Sequence, residues 1–193
     1  SKKYKVPIAI APPHHLIPLI TKFKITVLAQ HVDDKKVGST TGFMVPEIVK
    51  KSKINGSIIN HSEHRISEKE IISLVKRLKK LKLKTVLCVK NVNEAKKYAK
   101  LNPTFIAIEP PELIGTGRAI STEKPALISN AVKAVSSAKN STKLLCGAGI
   151  VSGQDVSKAK ELGSRGILVA SGSVKARNWE KIISEMCKGL KSQ

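Results

Sequence analysis

The chain has 193 residues, 41% of them hydrophobic, and 35 Lys and Arg against 14 Asp and Glu give it a formal charge of +21. That length suits one domain with a full core, the apolar content argues against a disordered chain, and no apolar run approaches the ~20 residues that span a bilayer. Cys88, Cys146 and Cys187 are odd in number and far apart, which excludes a closed disulfide framework and a C-x-x-C metal pattern and suits a reducing cytoplasm.

In chain order, "SKKYK" leads straight into a short apolar run, "VPIAIAP" at 6–12, with no secretory signal expected. His14 and His15 follow as neighbours whose side chains diverge, a poor metal pair. A second run, "ITVLAQ" at 25–30, precedes the polar stretch "HVDDKKVGSTTG" at 31–42; His31 there, and His64 later, read as loop residues. The third run, "GSIINHS" at 56–62, leads to a helix announced by Ser67 and Glu70, a capping box ahead of Ile71, Ile72, Leu74, Val75, Leu78 and Leu81 on one face. "TVLCVK" at 85–90 and "FIAIEP" at 105–110 come next. The latter is apolar until it ends on a bare carboxylate, Glu109, followed by Pro110, Pro111, Gly115 and Gly117. Pro125 opens another helix. "KLLCGAG" at 143–149 precedes a second capping box, Ser152 with Asp155, and "GILVASG" at 166–172 is the last run. A final helix sets Trp179, Ile182, Ile183, Met186 and Leu190 on one side, a stripe expected to pack into the core.

Continuous apolar runs alternating with amphipathic helices predict an α/β fold whose parallel strands are buried on both faces. Either a barrel or a doubly wound sheet satisfies the pattern. In a barrel, chemistry sits where the strands end. Those ends read His61-Ser62, Glu109, Gly147-Ala148-Gly149 and Ala170-Ser171-Gly172, the least apolar points of their runs. The lysines are spread along helix faces, and only three Phe, one Trp and two Tyr are present to stack bases. Composition therefore favours anionic small substrates over a nucleic-acid partner, and no membrane partner is expected.

Taken together, "NHSEHR", "AIEPPELIGTG", "LCGAGI" and "GILVASG", in this order, resemble the triosephosphate isomerase family in its archaeal form, over nearly all the chain from Val6 onward. The resemblance implies a (β/α) barrel of eight units, seven of them visible here, that interconverts dihydroxyacetone phosphate and D-glyceraldehyde 3-phosphate in glycolysis and gluconeogenesis. It implies no metal and no cofactor, a phosphorylated triose as the small-molecule partner, self-association as a dimer or tetramer, and a cytoplasmic location. By the same resemblance Glu109 is the catalytic base and His61 the neutral imidazole facing the substrate oxygens, with Ser62 and Glu63 in support; this family is the usual illustration of that pairing. "PPELIGTG" corresponds to a mobile lid, with Ile114 excluding water and the Gly115 amide reaching the phosphate. Gly149, Ala170 and Ser171 complete the dianion site, Thr41 lies at the oligomer interface, and Cys88 matches a structural cysteine.

The chain also departs from the family pattern. An Asn and a Lys at the end of the family's first strand have no counterpart among these residues. "VPIAIAP" corresponds to the family's second strand and "SKKYK" to the tail of its first helix. Residues 1–193 are thus expected to form a single barrel domain without the first strand and most of the first helix. Two other functions fit the residues: a phosphate-ligand-binding relative without catalysis, and another phosphate-binding barrel enzyme.

Overall fold

A computed structural model describes residues 2–191. Six strands form one parallel sheet in chain order: β1 (Ala9–Ile10), β2 (Thr26–Ala29), β3 (Gly56–Ile59), β4 (Lys84–Val89), β5 (Phe105–Ile108) and β6 (Lys143–Cys146). Parallel neighbours that are consecutive in sequence need a crossover at every step. Those crossovers hold α1 (Ile17–Ile20), α2 (Pro46–Lys51), α3 (Glu68–Lys80), α4 (Val92–Ala99), α5 (Ile120–Glu123) and α6 (Pro125–Ser136). Past β6 come α7 (Gly153–Glu161), α8 (Ser171–Val174) and α9 (Trp179–Gly189). No helix among the described residues is long and apolar enough to cross a membrane.

The local signals explain the helix starts. Ser67 and Glu70 form the reciprocal capping box at the head of α3, and Ser152 and Asp155 form the same box ahead of α7. Pro125 occupies the first position of α6, where its missing N–H goes unmissed. Each box is worth about 1 kcal/mol to its helix.

Both faces of the sheet are buried, as the continuous runs predict. Leu28, Ile58, Val86, Cys88 and Ala107 point to the concave inside and pack together. Their chain neighbours Val27, Ala29, Ile59, Leu87, Val89, Ile106 and Ile108 point outward, under Leu74, Leu78, Ala95 and Ile128 of the helices. Each fully buried aliphatic side chain contributes on the order of 1.5–3 kcal/mol.

The outermost runs are shorter than the sequence predicts. The first contributes only Ala9 and Ile10, both exposed. The last lies alongside β6, held by Arg165 N–H to Leu144 C=O at 2.8 Å and Leu168 N–H to Cys146 C=O at 2.8 Å, yet it forms only a single bridge at Ile167. Ile167, Leu168 and Val169 are half-buried. Among the described residues the seven parallel segments make a curled, open part of a barrel, and the weakest strands are the two edges, which lack a neighbour on one side.

The stripe on α9 also differs from expectation. Met186 is buried, but Trp179 is 64% exposed, its indole N–H donating to Val174 C=O at 3.3 Å. The reason is how α9 meets α7. A Cβ on Gly189 would lie 2.3 Å from Gly153 O, so the helices touch through glycines near the C-terminal end of α9. The first turn of α9, with Trp179, projects past that contact.

Candidate active site

Glu109 ends β5 directly after the buried run Ile106 to Ile108, and that placement makes the residue unusual. It is 5% exposed, and its Oε2 has no hydrogen-bond partner. Burial raises its pKa above the ordinary carboxylate value; the imidazole of His61, the Cys88 thiol and Arg65 oppose that shift. Buried polar atoms are almost always satisfied, so a carboxyl oxygen left alone at a strand tip is poised to take up a proton.

His61 stands on the neighbouring crossover loop. Its Nε2 lies 3.7 Å from Glu109 Oε2, beyond hydrogen-bond distance. On its other side Nδ1 accepts the Glu63 N–H at 3.3 Å. A ring nitrogen that accepts from an amide carries no proton, so the neutral imidazole holds its hydrogen on Nε2, the nitrogen facing Glu109. The Glu63 carboxylate is itself largely exposed, 3.6 Å from Nδ1; its backbone rather than its charge fixes the ring. Ser62 is half-buried beside it.

Asn60 holds this loop in shape. It is buried with φ +58, a left-handed conformation that Asn tolerates. Its Nδ2 donates to Cys88 C=O at 2.9 Å and its Oδ1 accepts the Ile66 N–H at 3.2 Å. Arg65 adds a bond to Asn60 C=O at 2.9 Å. Cys88 is fully buried on β4; burial, then the charge of Glu109, pushes its thiol well above the ordinary cysteine value, so it is inert as a nucleophile.

The segment after β6 ties the parts together. A Cβ on Gly147 would fall 2.5 Å from Glu109 Oε1, so only glycine leaves room for the carboxylate. Ala148 and Gly149 both adopt φ +70, and a Cβ on Gly149 would lie 1.9 Å from Arg118 O, at the far end of the lid. Ala148 C=O accepts the Ile120 N–H at 3.3 Å. A Cβ on Gly172 would lie 2.2 Å from Ile150 O. Residues 147–150 therefore touch the carboxylate, the lid and the start of α8. Ala170 caps α8 and Ser171 begins it, where the first amides of a helix have no partner within it.

The segment that corresponds to the family's lid is a short 3-10 turn at Pro111–Leu113 followed by an exposed loop. Leu113 is buried and Ile114 half-buried against the core, which anchors the near end. Thr116 Oγ1 donates to Leu113 C=O at 2.9 Å and accepts the Arg118 N–H at 3.1 Å. Gly115 and Gly117 both have φ +74 with nothing near their Cβ positions.

Of the residues singled out by sequence, His61, Ser62, Glu63 and Glu109 come together, and Ile114, Gly115, Gly149, Ala170 and Ser171 ring the same end. Thr41 lies apart, in the exposed part of the loop that follows β2. Asn60 and Gly147 were missed, although a glycine directly after one strand, beside a strand ending on an acid, was the available clue. His31 and His64, read as loop residues, do lie in loops, but they are packed against each other. His31 is buried, its ring stacked on His64 at 3.7 Å between centroids, its N–H donating to His14 Nε2 at 3.3 Å. No group of His, Cys, Asp and Glu among the described residues is arranged to hold a metal ion.

A family model described as triosephosphate isomerase matches residues 1–186. The chain is 54% identical over 190 residues to the triosephosphate isomerase of Cenarchaeum symbiosum, covering 98% of this chain and 85% of that one. It is 41% identical over 189 residues to that of Methanocaldococcus jannaschii, with 97% and 86% covered, and 44% identical over 184 residues to that of Caldivirga maquilingensis, with 95% and 82% covered.

Proposed function

The chain belongs to the triosephosphate isomerase family, and we propose that it moves the proton between the two carbons of a triose phosphate with Glu109 as base and His61 as the facing hydrogen-bond donor. The reaction is the interconversion of dihydroxyacetone phosphate and D-glyceraldehyde 3-phosphate, the isomerase step of glycolysis and gluconeogenesis. The observation that carries the residue roles is the lone Glu109 Oε2, buried and opposite His61 Nε2 at 3.7 Å. A carboxylate with little water around it is a stronger base than one in solution. It takes a proton from one substrate carbon and returns it to the adjacent carbon, through an enediolate. His61, neutral and donating from Nε2, stabilises the developing charge on the two substrate oxygens without supplying a competing acid.

Phosphate recognition falls to backbone amides. Gly149, Ala170 and Ser171 offer theirs from the loop after β6 and from the start of α8, and Gly115 brings a further amide when the lid closes, with Ile114 excluding water. Gly115 and Gly117, both at φ +74, lack the Cβ that would resist a change of backbone there. Residues 1–193 belong to a single barrel domain, without the family's first strand and most of its first helix, located in the cytoplasm. It self-associates, as a dimer or tetramer, through the 31–42 loop, with Thr41 directed toward a second copy.

The test is a coupled isomerase assay on the full chain and on Glu109→Gln. The variant is expected to lose about 10²- to 10⁴-fold in kcat, the usual contribution of a positioned general base, while affinity for a phosphorylated substrate analogue is kept. Equal activity in the two proteins would remove Glu109 from its role. Tight analogue binding with no turnover by the unaltered chain would mark a binding protein instead.

A further inference from the structure

Carboxylates are frequent where helices begin, although Glu161 ends α7. Glu47, Glu68, Glu70, Glu94, Asp155 and Glu180 all lie in first helical turns. The opposite end, where strands begin, carries six exposed lysines: Lys53, Lys79, Lys82, Lys84, Lys139 and Lys143. Lys84 and Lys143 open β4 and β6. Phe105 of β5 is level with Lys143 on one side and with Val86, two residues past Lys84, on the other, so the two lysines lie about 12 Å apart across β5. Lys79 is in the last turn of α3. Among the described residues none of the six forms an ion pair.

Two observations separate this face from a generally lysine-rich surface. Lys53, Lys82 and Lys139, just past the ends of α2, α3 and α6, hold φ of +59, +57 and +51, and Lys5, ahead of β1, holds +51 as well. Glycine sits in that conformation without strain, and a lysine does not. Complementing the helix dipole does not require it, since a lysine inside the last turn, such as Lys79, serves that purpose. The second observation is a cleft of about 260 Å³ on this face, lined by Lys79, Lys82 and Lys84 with Thr85, Asn102 and Thr104, and by no carboxylate.

We propose that this strand-N-terminal face docks the phosphate backbone of a nucleic-acid duplex. The cations run from the start of β3 to the start of β6, roughly 14 Å for four adjacent strands. That spread exceeds a single small phosphate and suits a polymer bearing one charge per ~1.7 Å. No aromatic residue lines the cleft, so it lacks the stacking platform that single strands use. Contacts to phosphates alone position a duplex without reading its sequence. Composition, for all its +21 charge, favours small anions over such a partner; the placement of these six lysines points the other way.

The experiment is a fluorescence-anisotropy titration of the full chain with a labelled 30-base-pair DNA duplex between 50 and 200 mM salt. One variant replaces Lys53, Lys82, Lys84 and Lys143 with Gln. A charge-matched control replaces Lys69, Lys76, Lys96 and Lys181, exposed on other helix surfaces, with Gln. Four lost phosphate contacts are expected to lower the log–log salt slope by about 3 to 4 and affinity by at least ~10-fold, against less than ~3-fold for the control. Retained isomerase activity in the first variant shows that it is folded. Equal weakening of the two variants would reduce the effect to net charge and overturn the proposal. So would no duplex binding at 50 mM salt, or a preference for single strands or for phosphatidylglycerol vesicles. A Lys53, Lys82 and Lys139→Gly variant relieves the backbone while removing charge. It is expected to melt higher and bind more weakly, and unchanged binding in it would also sink the idea.

Discussion

At one end of the sheet a single carboxylate, Glu109, is driven 95% out of solvent with an oxygen left unpaired; at the other, three lysines keep their ammonium groups in water but twist their backbones left-handed. Both are local conflicts, and their magnitudes are similar. An unsatisfied buried polar group costs about 1–3 kcal/mol, and a left-handed non-glycine residue about 1–2 kcal/mol. What differs is where the conflict acts. At the C-terminal end it is concentrated on one group and changes that group's chemistry, because burial raises the basicity of Glu109. At the N-terminal end it is distributed over three helix ends and leaves the chemistry of each lysine alone. A site for reaction needs the first kind, and a surface for contact tolerates the second.

The sharpest way to break the comparison is Gly147→Ala. Its added Cβ would fall 2.5 Å from Glu109 Oε1, and the neighbour that must shift is the carboxylate itself. A misplacement of about 1 Å at a reacting group can lower the rate by ~10²-fold. We expect kcat to fall by that order while the melting temperature changes little, measured by coupled assay and calorimetry. An equal loss of stability and activity would mean that Gly147 serves packing alone.

That dependence also shows what sequence could and could not reveal. Glu109 was legible because an acid at the end of Phe105–Ile108 contradicts its surroundings, and His61 because its motif accompanies it. Capping boxes are local, so Ser67 with Glu70 and Ser152 with Asp155 read correctly from spacing alone. Gly147 was not legible, since its role depends on a side chain 38 positions earlier, on the neighbouring strand. Trp179 was misread for a related reason. Helical periodicity identifies an apolar face, but the register at which α9 crosses α7 decides how much of that face is covered. The strand edges came out shorter than their apolar runs because pairing, not hydrophobicity, sets strand length.

Within the catalytic end, pH separates two kinds of burial. Burial lowers the pKa of His14 and, with help from the His64 charge, of His31, below the ordinary 6.5. Their neutral forms are favoured in the fold, so their contribution is complete above pH 6.5 and shrinks as pH falls below it. Glu109 runs the other way. Its pKa is raised above 4.5, so its protonated form is favoured in the fold, and stability declines as pH rises from 4.5 through the folded value. Melting curves across pH 4 to 8 are therefore expected to flatten on the acid side of 6.5 in His31→Gln and to lose the opposite slope in Glu109→Gln. Unchanged slopes in both variants would show that neither group titrates differently in the folded and unfolded chain.

The smallest expected effect tests the other end, and its sign is informative. Lys82→Gly removes left-handed strain of about 1–2 kcal/mol but adds back roughly 0.5–1 kcal/mol of unfolded-chain entropy. It also removes a cation just beyond the C-terminus of α3, worth about 0.3–1 kcal/mol when it complements the dipole. Strain and entropy alone predict a modest gain; a full dipole term cancels it. Asn102 resolves the ambiguity, because it takes the same conformation after α4, at φ +57, without a charge. Lys82→Asn keeps a side chain suited to that backbone and removes only the cation and part of the strain. If both variants melt higher than the parent, by about the same amount, the lysine is held there against the preference of the fold. If Lys82→Gly melts higher and Lys82→Asn does not, entropy and strain are balanced differently at this helix end. If neither melts higher, the ammonium group is stabilising α3, and the left-handed lysines need no partner to explain them.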